Sequence, residues 1–294
     1  MARTIFTGVH VPIVTPFAAD GGLDTAGLKR LIDWLIAEGA SGLVPCGTTG
    51  ESATLTHEEH HRVIALTVEY TAGRVPVIAG TGSNSTAEAV KLTVAADEAG
   101  VDGMLVIAPY YNRPGQRGII EHFKAVAAAT TKPIVMYNIP KRTGVNMEAD
   151  TTIALSKVDN ITGIKEASGD LNLVMEIIQG TSDFSVLTGD DNLLFPFAML
   201  GGHGGICASA HFLPGQWLRI VELVNANKVA EARALHYRLL PLAKVLFCEP
   251  NPTPLKAALN LVGVTVGEPR LPILPASDAC TARLRTVLGE LGLL

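Results

Sequence analysis

Short runs of apolar and β-branched residues recur along the chain at a steady spacing, and amphipathic stretches fill the gaps. The runs are GVHVPIV (8–14), GLVPC (42–46), VPVIAG (75–80), GMLVIA (103–108), PIVMYN (133–138), ITGIKEA (161–167), FSVLTG (184–189) and GGICAS (204–209). Between them lie segments such as TAGLKRLIDWLIAEG (25–39) and TAEAVKLTVAADEAG (86–100), each closed by a glycine where a helix should end. Near-continuous apolar runs predict strands buried on both faces, and hence a parallel sheet covered by helices. Eight such units predict an α/β fold, a (β/α)8 TIM barrel over residues 1–220. A doubly wound sheet is the competing arrangement, but no G-x-G-x-x-G follows the first run. Residues 221–294 read as helices only, a C-terminal helical appendage packed on the barrel with no low-complexity linker before it.

Composition narrows the function classes. With 48% apolar residues and 5% aromatics among 294, the chain suits an aliphatic α/β interior. A net charge of −5 without a Lys/Arg cluster argues against a nucleic-acid partner. Cys46, Cys207, Cys248 and Cys280 are scattered without a CxxC pair, so neither a disulfide framework nor a zinc knuckle is expected. Met1–Thr15 lacks the basic start, apolar run and cleavage site of a leader, and no apolar stretch reaches membrane-spanning length. A soluble cytoplasmic protein with no membrane partner is the expectation.

In a barrel, reactive side chains lie where strands end and the following loops begin. Those places hold Thr48-Thr49, Tyr110-Tyr111, Tyr137, Arg142 and Lys165. Strand alternation puts Ile161, Gly163 and Lys165 on one face, aiming the amine into the barrel mouth. Burial would disfavour its charged form and leave a nucleophile able to form a Schiff base with a carbonyl. The competing reading is a strand-end lysine that snorkels to water or pairs with Glu166. Tyr137 could pass a proton or simply sit in the core with its hydroxyl satisfied. The Gly47-Thr48-Thr49-Gly50 turn offers backbone N–H groups and two hydroxyls to a small carboxylate, and it lacks the lysine of a phosphate loop. Arg142 could clamp a second carboxylate through its planar fork or face solvent.

GTTGES (47–52), PYYNRP (109–114), YNIPKRTG (137–144), GIKEASGDL (163–171), TGDD (188–191), GGHGGI (201–206) and EPNPTPLK (249–256) follow one another in this order. Together they resemble the dihydrodipicolinate synthase family of pyruvate-dependent class I aldolases, over nearly the whole chain. The wider group includes N-acetylneuraminate lyase and keto-deoxy sugar-acid aldolases. The resemblance implies a lyase of lysine and diaminopimelate biosynthesis that condenses pyruvate with L-aspartate 4-semialdehyde to 4-hydroxy-tetrahydrodipicolinate. Lys165 would carry the Schiff base, with Thr48, Tyr137 and Tyr111 as the proton relay and Tyr111 reaching a neighbouring subunit. Thr49 would hold the pyruvate carboxylate and Arg142 the semialdehyde, with carbonyl groups near Gly189 and Ile206 lining the pocket. The resemblance further implies a homotetramer built as a dimer of dimers, with no cofactor and no metal. Arg142 separates this reading from its alternative, an aldolase for a sugar acid or another hydroxy-oxo acid. Gly205 and CASAHF after Ile206 depart from the family's usual valine and threonine or asparagine, which bears on pocket shape.

LTHEEHH (55–61) contains the H-E-x-x-H pattern of zinc hydrolases. Thr56 followed by Glu59 predicts a capping box, so a helix starts at His57 and the pattern falls on its first turn. By resemblance this region is a different site: Ser52, Ala53, His57, His60, Asn84, Glu88 and Tyr110 match positions that bind the feedback inhibitor lysine. The bland reading is a solvated helix start, with Glu88 as a surface residue.

Overall fold

The computed structural model describes residues 6–294; the first five positions, which begin the segment read for a leader, lie outside the described residues. Seven parallel strands form one curled sheet: β1 (Gly8–His10), β2 (Ile78–Gly80), β3 (Gly103–Ile107), β4 (Ile134–Asn138), β5 (Ile161–Glu166), β6 (Ser185–Thr188) and β7 (Gly204–Ile206). Their spatial order is β1-β7-β6-β5-β4-β3-β2, so the first two strands occupy opposite edges. The segment 42–45 runs between those edges. Leu43 forms parallel bridges to both Val11 and Val77, and Val44 N–H donates to the Val11 carbonyl at 2.8 Å. The sequence predicts a strand at 42–46, and the structure shows isolated bridges instead. Pro45 supplies no ladder donor, and Cys46 at φ 55° turns the chain away.

Twelve helices accompany the sheet among the described residues. The first nine are α1 (Thr25–Ala37), α2 (His57–Thr71), α3 (Thr86–Glu98), α4 (Gln116–Ala127), α5 (Pro140–Thr143), α6 (Ala149–Leu155), α7 (Leu171–Gly180), α8 (Leu194–Met199) and α9 (Pro214–Asn225). The last three are α10 (Val229–Val245), α11 (Thr253–Leu261) and α12 (Asp278–Glu290). Sequence punctuation sets their ends. Asp24 caps α1 by accepting from the Gly27 N–H, and Gly39 and Gly100 follow α1 and α3 with φ of 92° and 84°. Thr56 and Glu59 form the expected capping box of α2.

The two faces of the sheet divide the apolar residues into two clusters. Met104, Val106, Met136, Ile164 and Val186 pack outward among helix residues such as Leu31, Phe123 and Trp217. Val44, Ile78, Leu105, Val135, Tyr137, Leu187 and Ile206 pack inward. Ile161 belongs to the outer cluster with Ile164, which corrects its expected place on the Lys165 face. The cause is a register shift: Ile134 pairs with Ile161 but Val135 pairs with Gly163, so Thr162 is skipped and the alternation restarts. Leu239, Leu242, Leu255 and Leu284 from the C-terminal helices continue the outer cluster. The expected boundary at 220/221 falls inside α9. No helix among the described residues is long and apolar enough to cross a membrane. The four cysteines are free thiols, although Cys248 and Cys280 approach to 3.4 Å between sulfurs across the C-terminal helices.

Five histidines are buried, His10, His60, His122, His211 and His236, and the first, second and fourth shift most. Burial lowers His10, His60 and His211 from 6.5 to about 4. His211 is held as a neutral ring, donating from Nδ1 to the Ala208 carbonyl and accepting the Val14 N–H at Nε2. Between pH 6.5 and 4 the unfolded chain therefore binds more protons at these rings, and they cost the fold stability as pH falls through that window. Glu166, Asp190 and Asp191, raised by burial, act in the opposite sense. The histidine share is thus read by difference. Urea unfolding across this window should lose less stability in His211→Gln, which keeps a donor and an acceptor, than in wild type; parallel curves would contradict the burial account.

Candidate active site

Lys165 lies one residue from the end of β5 and Tyr137 one residue from the end of β4, and the two are register partners. Side chains at a shared register position project to the same face. Lys165 Nζ sits 4.3 Å from the centre of the Tyr137 ring, and the side chain is buried. Its stem runs against Gly189, just past β6: a Cβ there would stand 2.7 Å from Lys165 Cε and 3.1 Å from Cγ. Glu166, the alternative partner, is engaged elsewhere. It accepts from Asn138 Nδ2 at 2.8 Å and from the Ser168 N–H at 2.6 Å.

Above Lys165 opens a cavity of about 390 Å³. Thr48, Thr49, Tyr137, Arg142, Gly189 and Ile206 line it with Lys165, so seven of the eight residues assigned to catalysis and substrate binding converge. Lys141, Asp190 and Asp191 also face it. Burial raises both aspartates, and Lys141 then Lys165 pull Asp190 back down. The Thr48-Thr49 turn is closed by the Glu51 N–H donating to the Thr48 carbonyl at 3.1 Å. Asn251, from the connection between α10 and α11, donates through Nδ2 to Thr49 Oγ1 at 2.9 Å. The Asn251 carbonyl accepts from Arg142 Nη2 at 3.5 Å. Sequence reasoning used the EPNPTPLK stretch only as a motif and missed Asn251. The available signal was an asparagine between two prolines' turns, a site suited to aiming a side chain.

Tyr111 does not join this cavity. It is 89% exposed with a left-handed φ of 69°, and its N–H reaches the Thr143 carbonyl at 3.4 Å.

A second cavity, of about 450 Å³, abuts the first. Ser52, Ala53, His57, His60, Glu88 and Tyr110 line it; Asn84 does not, and its carbonyl accepts from Asn112 Nδ2 at 2.9 Å. Glu88 accepts from Ser83 Oγ and from His57 Nε2, the latter at 2.8 Å. The Ser83 hydroxyl, opposed by partial burial and aided by His57, holds the Glu88 carboxyl below its ordinary range. His60 is buried and donates from Nε2 to the Gly80 carbonyl at 2.9 Å. The HEEHH pattern occupies the first turn of α2, with His57 turned to Glu88 and His61 exposed. That arrangement opposes the zinc-hydrolase reading, and no cluster of three metal-binding side chains occurs among the described residues. Thr48, Arg142 and Asn251 border both cavities.

A sequence profile described as "Dihydrodipicolinate synthetase family" matches residues 5–291. The chain belongs to the dihydrodipicolinate synthetase family. Among its relatives in that family, the 4-hydroxy-tetrahydrodipicolinate synthase of Methanothrix thermoacetophila is 48% identical, covering 98% of this chain and 97% of that one. The synthase of Syntrophus aciditrophicus is 49% identical over 99% of this chain and all of its own. Among solved structures, dihydrodipicolinate synthase from Cyanidioschyzon merolae with lysine bound superposes with a TM-score of 0.97 at 41% identity, covering 98% of this chain and 99% of that one. The chloride-inhibited synthase from Acinetobacter baumannii, complexed with pyruvate, gives 0.96 at 38% identity over 99% of this chain and 100% of that one. The departure at Gly205 has a local reason. A Cβ at that position would stand 2.6 Å from Cys207 Sγ and 3.0 Å from Thr188 Cγ2, so the absence of a side chain there and the cysteine two residues on are one packing solution.

The family's GTTGES turn is anchored from the C-terminal helices. Lys256 of α11, fully buried, places Nζ 2.6 Å from Glu51 Oε1 and 4.2 Å from the centre of the Phe17 ring. The Arg270 N–H donates to Glu51 Oε2 at 2.8 Å. Burial lowers Lys256 from its ordinary value, and Glu51 opposes the shift. Lys256→Met strands a buried carboxylate and should cost about 3–5 kcal/mol in urea unfolding, with much of the loss recovered in Glu51→Gln/Lys256→Met. A single variant as stable as wild type would show that the pair contributes nothing.

Proposed function

We propose that this chain is a 4-hydroxy-tetrahydrodipicolinate synthase, a lyase that condenses pyruvate with L-aspartate 4-semialdehyde. The observation that carries the reading is Lys165, buried with its amine over the Tyr137 ring and lining a cavity shared with two threonines and an arginine. The amine adds to the pyruvate ketone and water leaves, giving an iminium. Its nitrogen draws electrons as the methyl group loses a proton, and an enamine results. The enamine carbon attacks the aldehyde and forms the new C–C bond. The substrate's own amine then adds to the iminium carbon, closes the ring and displaces Lys165. The iminium is the electron sink, so the chemistry calls for no organic cofactor or metal. Thr49 holds the pyruvate carboxylate through hydroxyl and amide, and carbonyls near Gly189 and Ile206 line the pocket.

The hydrogen-bonded segment 42–45 serves in this reading as the eighth strand of a (β/α)8 barrel, with 221–294 as a helical region packed on it. The enzyme works in the cytoplasm as a dimer of dimers. Thr48 and Tyr137 form the proton relay with Tyr111 of a neighbouring subunit, a reading supported by the exposure of Tyr111 away from its own Lys165. Lysine occupies the second cavity as a feedback inhibitor, its α-ammonium on Glu88, its polar end near Asn84 and Tyr110, and Ser52, Ala53, His57 and His60 about the side chain.

Product formation from pyruvate and aspartate semialdehyde, against N-acetylneuraminate and keto-deoxy gluconate as competing substrates, tests the activity. Arg142→Ala should raise the KM for the semialdehyde by about 10- to 100-fold while the pyruvate half-reaction persists. An unchanged KM would move the chain to the sugar-acid branch of the family. Mixing inactive Lys165→Ala and Tyr111→Phe subunits should restore activity through sites with both residues intact; confirmed hybrids without recovery would sink the shared-site assignment. For lysine, calorimetry should detect binding to wild type that weakens in Glu88→Ala with uninhibited turnover unchanged. Pyruvate should shift that affinity by the factor with which lysine shifts pyruvate's, as linkage requires. No heat of lysine binding in wild type would refute the regulatory site.

A further inference from the structure

The connection between α10 and α11 brings the Asn251 side chain into the Lys165 cavity's wall, and its hydrogen bond has a direction. Asn251 Nδ2 donates to Thr49 Oγ1 at 2.9 Å in a buried setting, and the Asn251 main-chain carbonyl receives Arg142 Nη2 at 3.5 Å. One residue between α10 and α11 thus touches both side chains assigned to carboxylate recognition. A threonine hydroxyl has a single proton and two lone pairs. When Oγ1 accepts from an amide N–H, its own proton cannot point back at that amide. It points elsewhere, and the cavity that Thr49 lines is the open side. A carboxylate accepts hydrogen bonds and cannot donate them, so a hydroxyl oriented this way is prepared for an anionic ligand before the ligand arrives.

We propose that Asn251 is a positioning residue: by donating to Thr49 Oγ1 it commits the Thr49 hydroxyl proton to the carboxylate of the keto acid bound at Lys165. The proposal rests on the reading of Lys165 and Thr49 given under Proposed function. It also assigns work to the helices beyond the barrel. The buried Lys256–Glu51 pair fixes α11 to the residue whose N–H closes the same turn, so one C-terminal unit holds the turn at both Glu51 and Thr49. Asn251 acts only through Thr49, and its chemistry is that of a donor, not of a space-filler.

That distinction makes the test sharp, because asparagine and aspartate have the same shape and opposite polarity. The ionised carboxylate introduced by Asn251→Asp can only accept, so the Thr49 proton would turn toward it and away from the substrate. Steady-state kinetics with pyruvate varied should show Asn251→Ala raising the pyruvate KM by about tenfold, the loss of one oriented hydrogen bond. Asn251→Asp should raise it further than Asn251→Ala at neutral pH, with recovery as the pH falls and the new carboxyl regains a proton to donate. The kcat should move less than the KM. In a Thr49→Val background, Asn251→Ala should add almost nothing, because the hydroxyl it orients is gone; this comparison holds even if the aspartate variant folds poorly. An Asn251→Asp enzyme that binds pyruvate as well as wild type would mean that Thr49 donates to Asn251, and would overturn the proposal. Full additivity in the Thr49→Val background would do the same. If wild type forms no covalent adduct with pyruvate at all, the underlying site reading fails, an outcome separable from both.

Discussion

The register between β4 and β5 decides where Lys165 points. Those two strands pair Ile134 with Ile161, then Val135 with Gly163, and set Tyr137 opposite Lys165 one pair before the end. Strand side chains alternate with a period of two, so a slip of one residue would send Lys165 among the helices and bring its neighbours inward. The skipped Thr162 is therefore not a defect of the ladder. It re-phases the end of β5 so that the lysine shares a face with Tyr137, Leu187 and Ile206 while Ile161 and Ile164 both serve the outer core. Gly189 completes the arrangement from the next strand by leaving room for the stem of the lysine.

A second constraint acts from outside the sheet. The Thr48-Thr49 turn lies beyond a segment whose backbone hydrogen bonds to both neighbouring edges end at Pro45, so the ladder does not reach the turn itself. The C-terminal helices supply what the ladder lacks. Lys256 pairs with Glu51 just after the turn, and Asn251 donates to Thr49 within it. A buried ion pair of this kind contributes little net stability compared with apolar packing, but its geometry is demanding, and losing one partner is costly. Thr48, Arg142 and Asn251 form the wall between the two cavities, so a ligand in the second cavity would press on groups that serve the first.

Much of this was legible in the chain. The alternation of apolar runs and capped amphipathic stretches located seven strands and the principal helices, because burial on both faces leaves a local compositional trace. Lys165, Tyr137, Thr48, Thr49 and Arg142 were singled out because parallel α/β folds place chemistry at strand ends, and the structure gathers them around one cavity. What escaped the sequence depended on three-dimensional neighbours. The 42–46 run looked like a strand until Pro45 and Cys46 were seen to interrupt its ladder. The face of Ile161 depended on a bulge that no single strand encodes. Asn251 and Lys256 lie about 200 residues from the turn they hold, and nothing local marks a lysine in LKAALNL as the partner of Glu51. Asn84 showed the limit of residue-by-residue correspondence, since it does not line the second cavity, whereas Tyr111, expected to reach a neighbouring subunit, lies exposed outside the cavity of its own chain.

The account's central claim is that Lys165 is the one amine that becomes covalently joined to pyruvate. Mass spectrometry of the protein after treatment with pyruvate and borohydride tests this directly. The account predicts one reduced pyruvate unit per chain, confined to the peptide that contains Lys165 and absent from Lys165→Ala. An adduct on another lysine, or none under conditions in which the enzyme turns over, would contradict it.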